Sequence, residues 1–219
     1  MMGGMTRRIL VLGPPAGGKG TQAERLAAEL GVPHIATGDM LRQEVAEGSE
    51  LGRRARAFMN VGELVPDKIV VAMVVDRISR PDASGGWVVD GFPRNVHQAQ
   101  EFDGELGGQG VDLVIALEVP HADIIARISG RRTCANGHVY HVEHKPPKEQ
   151  GVCDIDGEPL FQREDDTEEV IRHRIEVYVD KSRALLEFYG SKGVLRVVDG
   201  SGNPDQTYQH VSALVTAEG

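Results

Sequence analysis

The chain alternates short, wholly apolar runs with longer stretches in which apolar residues recur every three to four positions. Residues 8–12 (RILVL) read as a buried strand, ended by Gly13-Pro14. From Lys19 to Leu30 the apolar positions Ala23, Leu26, Ala27 and Leu30 keep helical spacing, and Gly31 with Pro33 supplies a stop. His34–Ala36 is long enough for one short strand. Residues 39–60 read as two helices parted near Gly48-Ser49, and Pro66-Asp67 opens another that runs to about Ser79. Trp87–Val89 is a compact strand ending at Asp90, followed by a polar helix over about 95–107. Asp112–Val119 is the clearest strand, and Pro120 starts a helix through Ile128. A long helix spans 167–189, bearing Val170, Ile171, Ile175, Val179, Leu186 and Tyr189. Val194–Val198 is a last strand before a C-terminal helix.

Strand and helix in alternation predict an α/β fold, a parallel sheet with helices on both faces. Residues 130–166 break the rhythm. They have no helical period and hold both cysteines and Pro146-Pro147. An insert of that length is a functional lid or a small fold of its own. No internal repeat or low-complexity tract appears. With 219 residues, 40% hydrophobic and 26% charged, the chain suits one domain with insertions. A formal charge of −9 argues against coating nucleic acid by charge, so no nucleic-acid partner is expected. The longest apolar run, Ile69–Val75, falls far short of the ~18 residues a membrane span needs. The N-terminal apolar stretch is too short for a secretory signal of about 7–15 residues. The expectation is a cytoplasmic protein without a membrane partner. Two cysteines, Cys134 and Cys153, are too few for a disulfide scaffold.

Gly13-Pro-Pro-Ala-Gly-Gly18-Lys19-Gly20-Thr21 fits G-x-x-x-x-G-K between a predicted strand and a predicted helix. In that context successive backbone N–H groups wrap a phosphate, and the helix N-terminus adds partial positive charge. Lys19 would reach the outer phosphates. The hydroxyl that commonly follows the lysine is replaced by Gly20, with Thr21 next. Val88-Val89-Asp90 is an apolar strand ending in a carboxylate able to hold Mg²⁺ directly or through water.

Behind Gly-Lys-Gly-Thr come, in order, Thr37-Gly-Asp-Met-Leu-Arg42, Glu63-Leu-Val-Pro-Asp67, Asp90-Gly-Phe-Pro-Arg94 and Arg163-Glu-Asp-Asp166. Together these motifs resemble the adenylate kinases of the long-lid bacterial type, over essentially the whole chain from Arg8. The resemblance implies MgATP + AMP ⇌ 2 ADP, and a monomer whose partners are ATP, AMP and ADP. It implies a doubly wound five-stranded parallel P-loop core (6–35, 66–129, 167–219), a helical AMP-binding insert (36–65) and a lid (130–166). The loop of Ala16, Gly17, Gly18, Lys19, Gly20 and Thr21 would hold the ATP phosphates. Arg127, Val139, Tyr140 and Gly202 would surround the ATP base. Thr37, Arg42, Glu63, Leu64, Val65, Gly91, Phe92, Pro93, Arg94 and Gln98 would surround AMP, with Gln98 reading its base. Arg131, Arg163 and Arg174 would complete a phosphate clamp shared between the substrates. Asp165 and Asp166 would close the lid. Lys19, Arg94, Arg131, Arg163, Arg174 and Asp90 form the catalytic set. Phosphoryl transfer runs on positive charge and alignment, so this set needs no dedicated general base.

Zinc-bearing lids in this family usually show two Cys-x-x-Cys halves, or Cys-x-x-Asp in the second. Here the second half is Cys153-Asp-Ile-Asp156, while the first reads Cys134-Ala-Asn-Gly-His138. Cys134, His138, Cys153 and Asp156 would make a structural zinc site, with His141 and His144 as substitutes for His138. A lid held by hydrogen bonds alone, two merely buried thiols, and a disulfide are the competing readings. The other histidines (34, 97, 121, 173 and 210) show no ligand spacing. Ala16 stands where the family usually has glycine, so it brings strain or shifts the need for glycine to Gly17. Three further function classes remain open: a kinase for another nucleoside monophosphate or using GTP, a P-loop hydrolase without an acceptor, and a nucleic-acid-binding lid module.

Overall fold

The structure is a computed structural model that describes residues 7–108, 110–163 and 165–217. The expected core start at Thr6, Glu164 of the fourth motif, and residues 218–219 lie outside the described residues. Five parallel strands form the main sheet: β1 (Arg7–Leu12), β2 (His34–Ala36), β3 (Gly86–Asp90), β4 (Leu113–Glu118) and β7 (Leu195–Asp199), in the order β2-β3-β1-β4-β7. The centre is buried on both sides because successive side chains point to opposite faces. Leu10, Leu12, Val89, Val114 and Ala116 face one way, joining α4 (Asp67–Ile78), α5 (Val96–Glu105) and the C-terminal half of α7 (Glu168–Ser191). Ile9, Val11, Val88, Leu113, Ile115 and Leu117 face the other, against α1 (Lys19–Leu30) and α8 (Pro204–Ala217).

Each predicted strand and helix outside residues 130–166 is present, with ends shifted by a few residues at most. The two helices expected over 39–60 are α2 (Thr37–Glu47) and α3 (Glu50–Val61), and that expected after Pro120 is α6 (His121–Ser129). α2 stops because Gly48 takes a left-handed conformation, φ 66°. Ser49 then caps α3, its hydroxyl oxygen accepting from the Gly52 N–H at 2.9 Å. A single 3₁₀ turn, Pro81–Ala83, was not expected.

Residues 130–166 contain a small antiparallel pair, β5 (Arg131–Thr133) and β6 (Val139–His141), with isolated bridges from Thr133 to Phe161, His141 to Lys145 and Val152 to Pro159. Among the described residues, their apolar centre is Cys134, Tyr140 and Cys153 with Leu160. The flanking helices α6 and α7 meet in a third cluster, Val119, Ile124, Ile128, Ile171 and Ile175. Among the described residues, no helix is long and apolar enough to cross a membrane.

Candidate active site

The carboxyl ends of β1, β2, β3 and β4 converge on one rim of the sheet, where parallel α/β sheets gather ligands. The turn after β1 enters α1 through Gly18, which holds φ 86°. Lys19 lies beneath this turn, its ammonium donating to the Pro14 carbonyl at 2.6 Å. Burial and the cations Arg94, Arg131 and Arg174 lower its pKa to about 7, against the pull of Asp90. A side chain added at Gly20 would reach the Asp90 carboxylate, 3.8 Å away. The missing hydroxyl thus faces the carboxylate suited to a hydrated Mg²⁺, and the site fits that ion's preference for carboxylate and water.

Glycine need has not moved to Gly17. Ala16 itself adopts φ 50°, and among the described residues it is the one non-glycine with positive φ. Gly17 takes no left-handed conformation, though a Cβ there would be crowded by the Pro14 carbonyl at 3.0 Å and its ring at 3.1 Å.

On the acceptor side lies an open cleft. Of the residues expected around AMP or in the clamp, Thr37, Arg42, Glu63, Leu64, Val65, Gly91, Arg94, Gln98 and Arg174 line it. Thr37 donates its hydroxyl to the Asp90 carbonyl at 3.0 Å. Gly91, with φ 75°, passes so close that a Cβ would sit 2.9 Å from that hydroxyl oxygen. Phe92 does not line the cleft. It is fully buried, edge-on to Phe102 with ring centroids 5.0 Å apart, so only its backbone can serve the site. The Phe92–Pro93 bond is cis. The apolar wall of Leu41, Met59 and Val70 was missed, because apolar residues read as core by default.

Between the two sides the arginines cluster. Burial, Arg174 and Arg42 push the Arg94 pKa down to about 10; burial, Arg42 and Arg131 do the same for Arg163. Asp165 binds Arg174 at 2.6 Å, and Asp166 grips Arg131 through two nitrogens. Both aspartates thus pair with arginines of the expected clamp. Asp39, also missed, accepts from Arg42 and lies 3.5 Å from Arg163, bridging α2 to the base of the lid segment. The Arg163 Nε is buried without a partner. His34, which lacks ligand spacing, is 2.5 Å from Asp90; burial opposes its charge, but the carboxylate prevails and raises its pKa.

Arg127 donates to the Gly200 carbonyl at 2.8 Å, with the Ser201 and Gly202 carbonyls at 3.3 and 3.4 Å. The structure therefore joins Arg127 and Gly202. Val139 is exposed, but Tyr140 turns inward: its hydroxyl oxygen accepts from the Asp154 N–H at 2.8 Å and lies 3.6 Å from Cys153 Sγ. Tyr140 thus packs with Cys134 and Cys153 at the centre of residues 130–166.

In the same segment the donor atoms of Cys134, His138, Cys153 and Asp156 all lie within 4.8 Å of one another. Nδ1 of His138 is 3.4 Å from each sulfur and 2.9 Å from Asp156 Oδ2, which is 3.3 Å from Cys134 Sγ. Tetrahedral zinc with bonds of about 2.0–2.3 Å holds ligand atoms roughly 3.3–3.8 Å apart. Two thiols, an imidazole and a carboxylate suit zinc in type, and the three distances to sulfur fall in that range, while the 2.9 Å from His138 to Asp156 is shorter, the length of a hydrogen bond. Both cysteines are free, which removes the disulfide reading for this structure. His141 is not a substitute ligand here; its Nδ1 accepts from the Glu143 and His144 N–H groups, each at 3.1 Å.

The family model for adenylate kinase matches residues 11–194. A curated adenylate kinase of Streptomyces coelicolor is 47% identical over 203 residues, 91% of this chain and 94% of its own. That of Acidothermus cellulolyticus is 47% identical over 211 residues (94% and 97%), and that of Archaeoglobus fulgidus 44% over 210 (94% and 97%). The chain belongs to the adenylate kinase family. Adenylate kinases are nucleoside monophosphate kinases, transferases that bind nucleotides. Membership accounts for the two-sided site, a phosphate loop and a second pocket joined by cations.

Proposed function

We propose that the protein transfers the terminal phosphoryl group of MgATP to AMP, giving two molecules of ADP. The observation that carries this reading is the cation cluster between the phosphate loop and the acceptor cleft. Lys19, Arg94 and Arg163 hold their protons less tightly than usual because burial, and the neighbouring charges of Arg42, Arg131 and Arg174, disfavour their charged forms. Such a cluster is unfavourable when empty and suits a triphosphate facing a monophosphate. ATP lies along residues 16–21 with its base beside Arg127 and Gly202. AMP lies in the Thr37–Gln98 cleft.

In the transfer, the bond from the terminal phosphorus to the bridging oxygen of ATP breaks, and one forms to a phosphate oxygen of AMP. The acceptor oxygen is already anionic, so no base is required. Lys19 and the arginines align the reacting oxygens and stabilise charge on the transferring group; one such arginine can contribute about 10³–10⁵ in rate. Mg²⁺ bound with ATP neutralises phosphate charge, and Asp90 would hold it through water. Residues 36–65 and 130–166 act as the moving acceptor-binding segment and lid, around a core of 6–35, 66–129 and 167–219. They exclude water that would otherwise take the phosphoryl group. Zinc held by Cys134, His138, Cys153 and Asp156 would staple the lid. On the same resemblance the protein acts in the cytoplasm as a monomer, without nucleic acid.

The test is Mg²⁺-dependent ADP formation from ATP with AMP, CMP, UMP or GMP, and with no acceptor. Turnover with AMP alone is expected. Equal ADP formation without an acceptor would defeat the reading, and preference for another monophosphate would move the substrate.

A further inference from the structure

Gln98 stands in the wall of the acceptor cleft with its side chain held at both ends. Its Nε2 donates to Asp67 Oδ1 at 2.8 Å, and its Oε1 accepts from the Arg94 backbone N–H at 2.8 Å. A carboxylate can only accept, and a backbone N–H can only donate. The amide therefore has one orientation. Turned over, it would set its oxygen against the Asp67 carboxylate and its NH₂ against the Arg94 N–H. Gln98 is 1% exposed, so water cannot make good either loss.

Asp67 is itself braced. The same Oδ1 accepts from Asn95 Nδ2 at 2.9 Å, and Oδ2 lies 3.0 Å from His97 Nδ1. Asn95 also caps α5, its side-chain oxygen accepting from the Gln98 N–H at 2.8 Å. Asp67 occupies the first turn of α4, where the helix favours a negative charge.

The pinned amide keeps one N–H and one oxygen lone pair for a ligand. Adenine offers a matching edge: its 6-amino group donates, and the neighbouring ring nitrogen accepts. A 6-oxopurine offers the opposite pair, an oxygen that accepts beside a ring N–H that donates. A free glutamine would flip and pair with either. A pinned one pairs with the first and opposes the second at both atoms.

We propose that Asp67 sets base specificity at the acceptor site by fixing the Gln98 amide, so that the cleft takes a 6-aminopurine monophosphate and rejects a 6-oxopurine one. Asp67 is a positioning residue, since it acts through Gln98. The inference rests on the proposed function, in which Gln98 faces the acceptor base.

The experiment compares AMP with inosine monophosphate as acceptors. The latter exchanges the donor–acceptor pair without adding guanine's amino group. Four proteins are assayed: the unaltered chain, Asp67→Ala, Asp67→Asn and Gln98→Ala. The ratio of kcat/KM for AMP to that for inosine monophosphate is expected to fall several-fold in Asp67→Ala, less than the roughly 10- to 100-fold of a whole bidentate base contact, because the Arg94 N–H still holds the amide oxygen. The change is expected in the acceptor KM more than in kcat, with KM for ATP unmoved. Asp67→Asn keeps an accepting oxygen but can also donate, so an intermediate fall is expected in a variant that preserves shape. Gln98→Ala should lose the preference. An unchanged ratio in both Asp67 variants, with Gln98→Ala losing it, would overturn the proposal alone. So would equal losses for both acceptors with a lowered Tm, the mark of a purely structural role. A ratio unmoved by Gln98→Ala, or no AMP-dependent turnover by the unaltered chain, would remove the underlying reading instead.

Discussion

Ala16 holds a left-handed conformation in the middle of the phosphate loop, φ 50°, with its methyl group packed against the Val119, Ile124, Ile128, Ile171 and Ile175 cluster. That conformation costs an alanine about 1–2 kcal/mol relative to the right-handed one. Ala16→Gly removes the strain but loses the packed methyl and gains freedom in the unfolded chain. The strain is the larger effect, so a net gain of about 1 kcal/mol is expected, read as a higher denaturation midpoint with unchanged slope. Lys19 supports a second prediction at this scale. With its pKa lowered to about 7, it is mostly neutral at about pH 8, and bound phosphates restore the charge by drawing a proton. ATP binding should therefore take up close to one proton at that pH, and its affinity should weaken as pH rises above about 7. Calorimetry in buffers of different ionisation enthalpy measures the uptake, and Lys19→Met should abolish it. Single residues were legible where the resemblance gives them a role, which it does not for Asp39 and Asp67, although both stand inside its motifs. His34, Asp39 and Asp67 were not read as parts of the site, because their partners, Asp90, Arg163 and Gln98, are 56, 124 and 31 positions away.

Elements were legible where their periodicity is long. The twelve residues of α1 carry enough turns to reveal a buried face, and Gly31 marks the end through its left-handed conformation. β5 and β6 have three residues each, too few for an alternation to be distinguished from loop. The break between α2 and α3 was legible because glycine and serine have separate physical roles there, one ending a helix and the other starting the next. The Ser49 hydroxyl also donates to the Glu44 side chain at 2.5 Å, so one side chain ties both helix ends. Ser49→Ala is expected to cost about 1 kcal/mol. The loss should concentrate in faster amide exchange at the start of α3, around Gly52, while exchange in β1, β3 and β4 stays as it was. Equal acceleration in the sheet would mean that the two helices unfold only with the core.

At the scale of the molecule, the alternating pattern was enough for a parallel sheet, but its strand order and the arrangement of 130–166 were not legible. Order depends on which crossover packs where, and the lid segment coheres through side chains of differing type instead of a repeated apolar period. Its apolar centre of Cys134, Tyr140, Cys153 and Leu160 is separate from the clusters that bury the sheet. Four side chains cannot offset the ordering entropy of a segment this long, at roughly 1–2 kcal/mol per backbone residue. Hydrogen bonds must supply the difference, joined under the proposed function by a zinc ion, whose binding free energy at a structural site is folding free energy. The molecule should therefore melt in two steps when metal is withdrawn. A strong chelator is expected to bring on an early transition, with amide protection lost over 131–161 and retained in β1, β3 and β4. Cys153→Ala should reproduce that transition without chelator and make it insensitive to added zinc. Metal analysis of the untreated protein should find about one zinc per chain, the stoichiometry of a single four-ligand site. One cooperative transition, identical with and without chelator, would mean that hydrogen bonds alone hold this segment and that the four side chains form no working metal site.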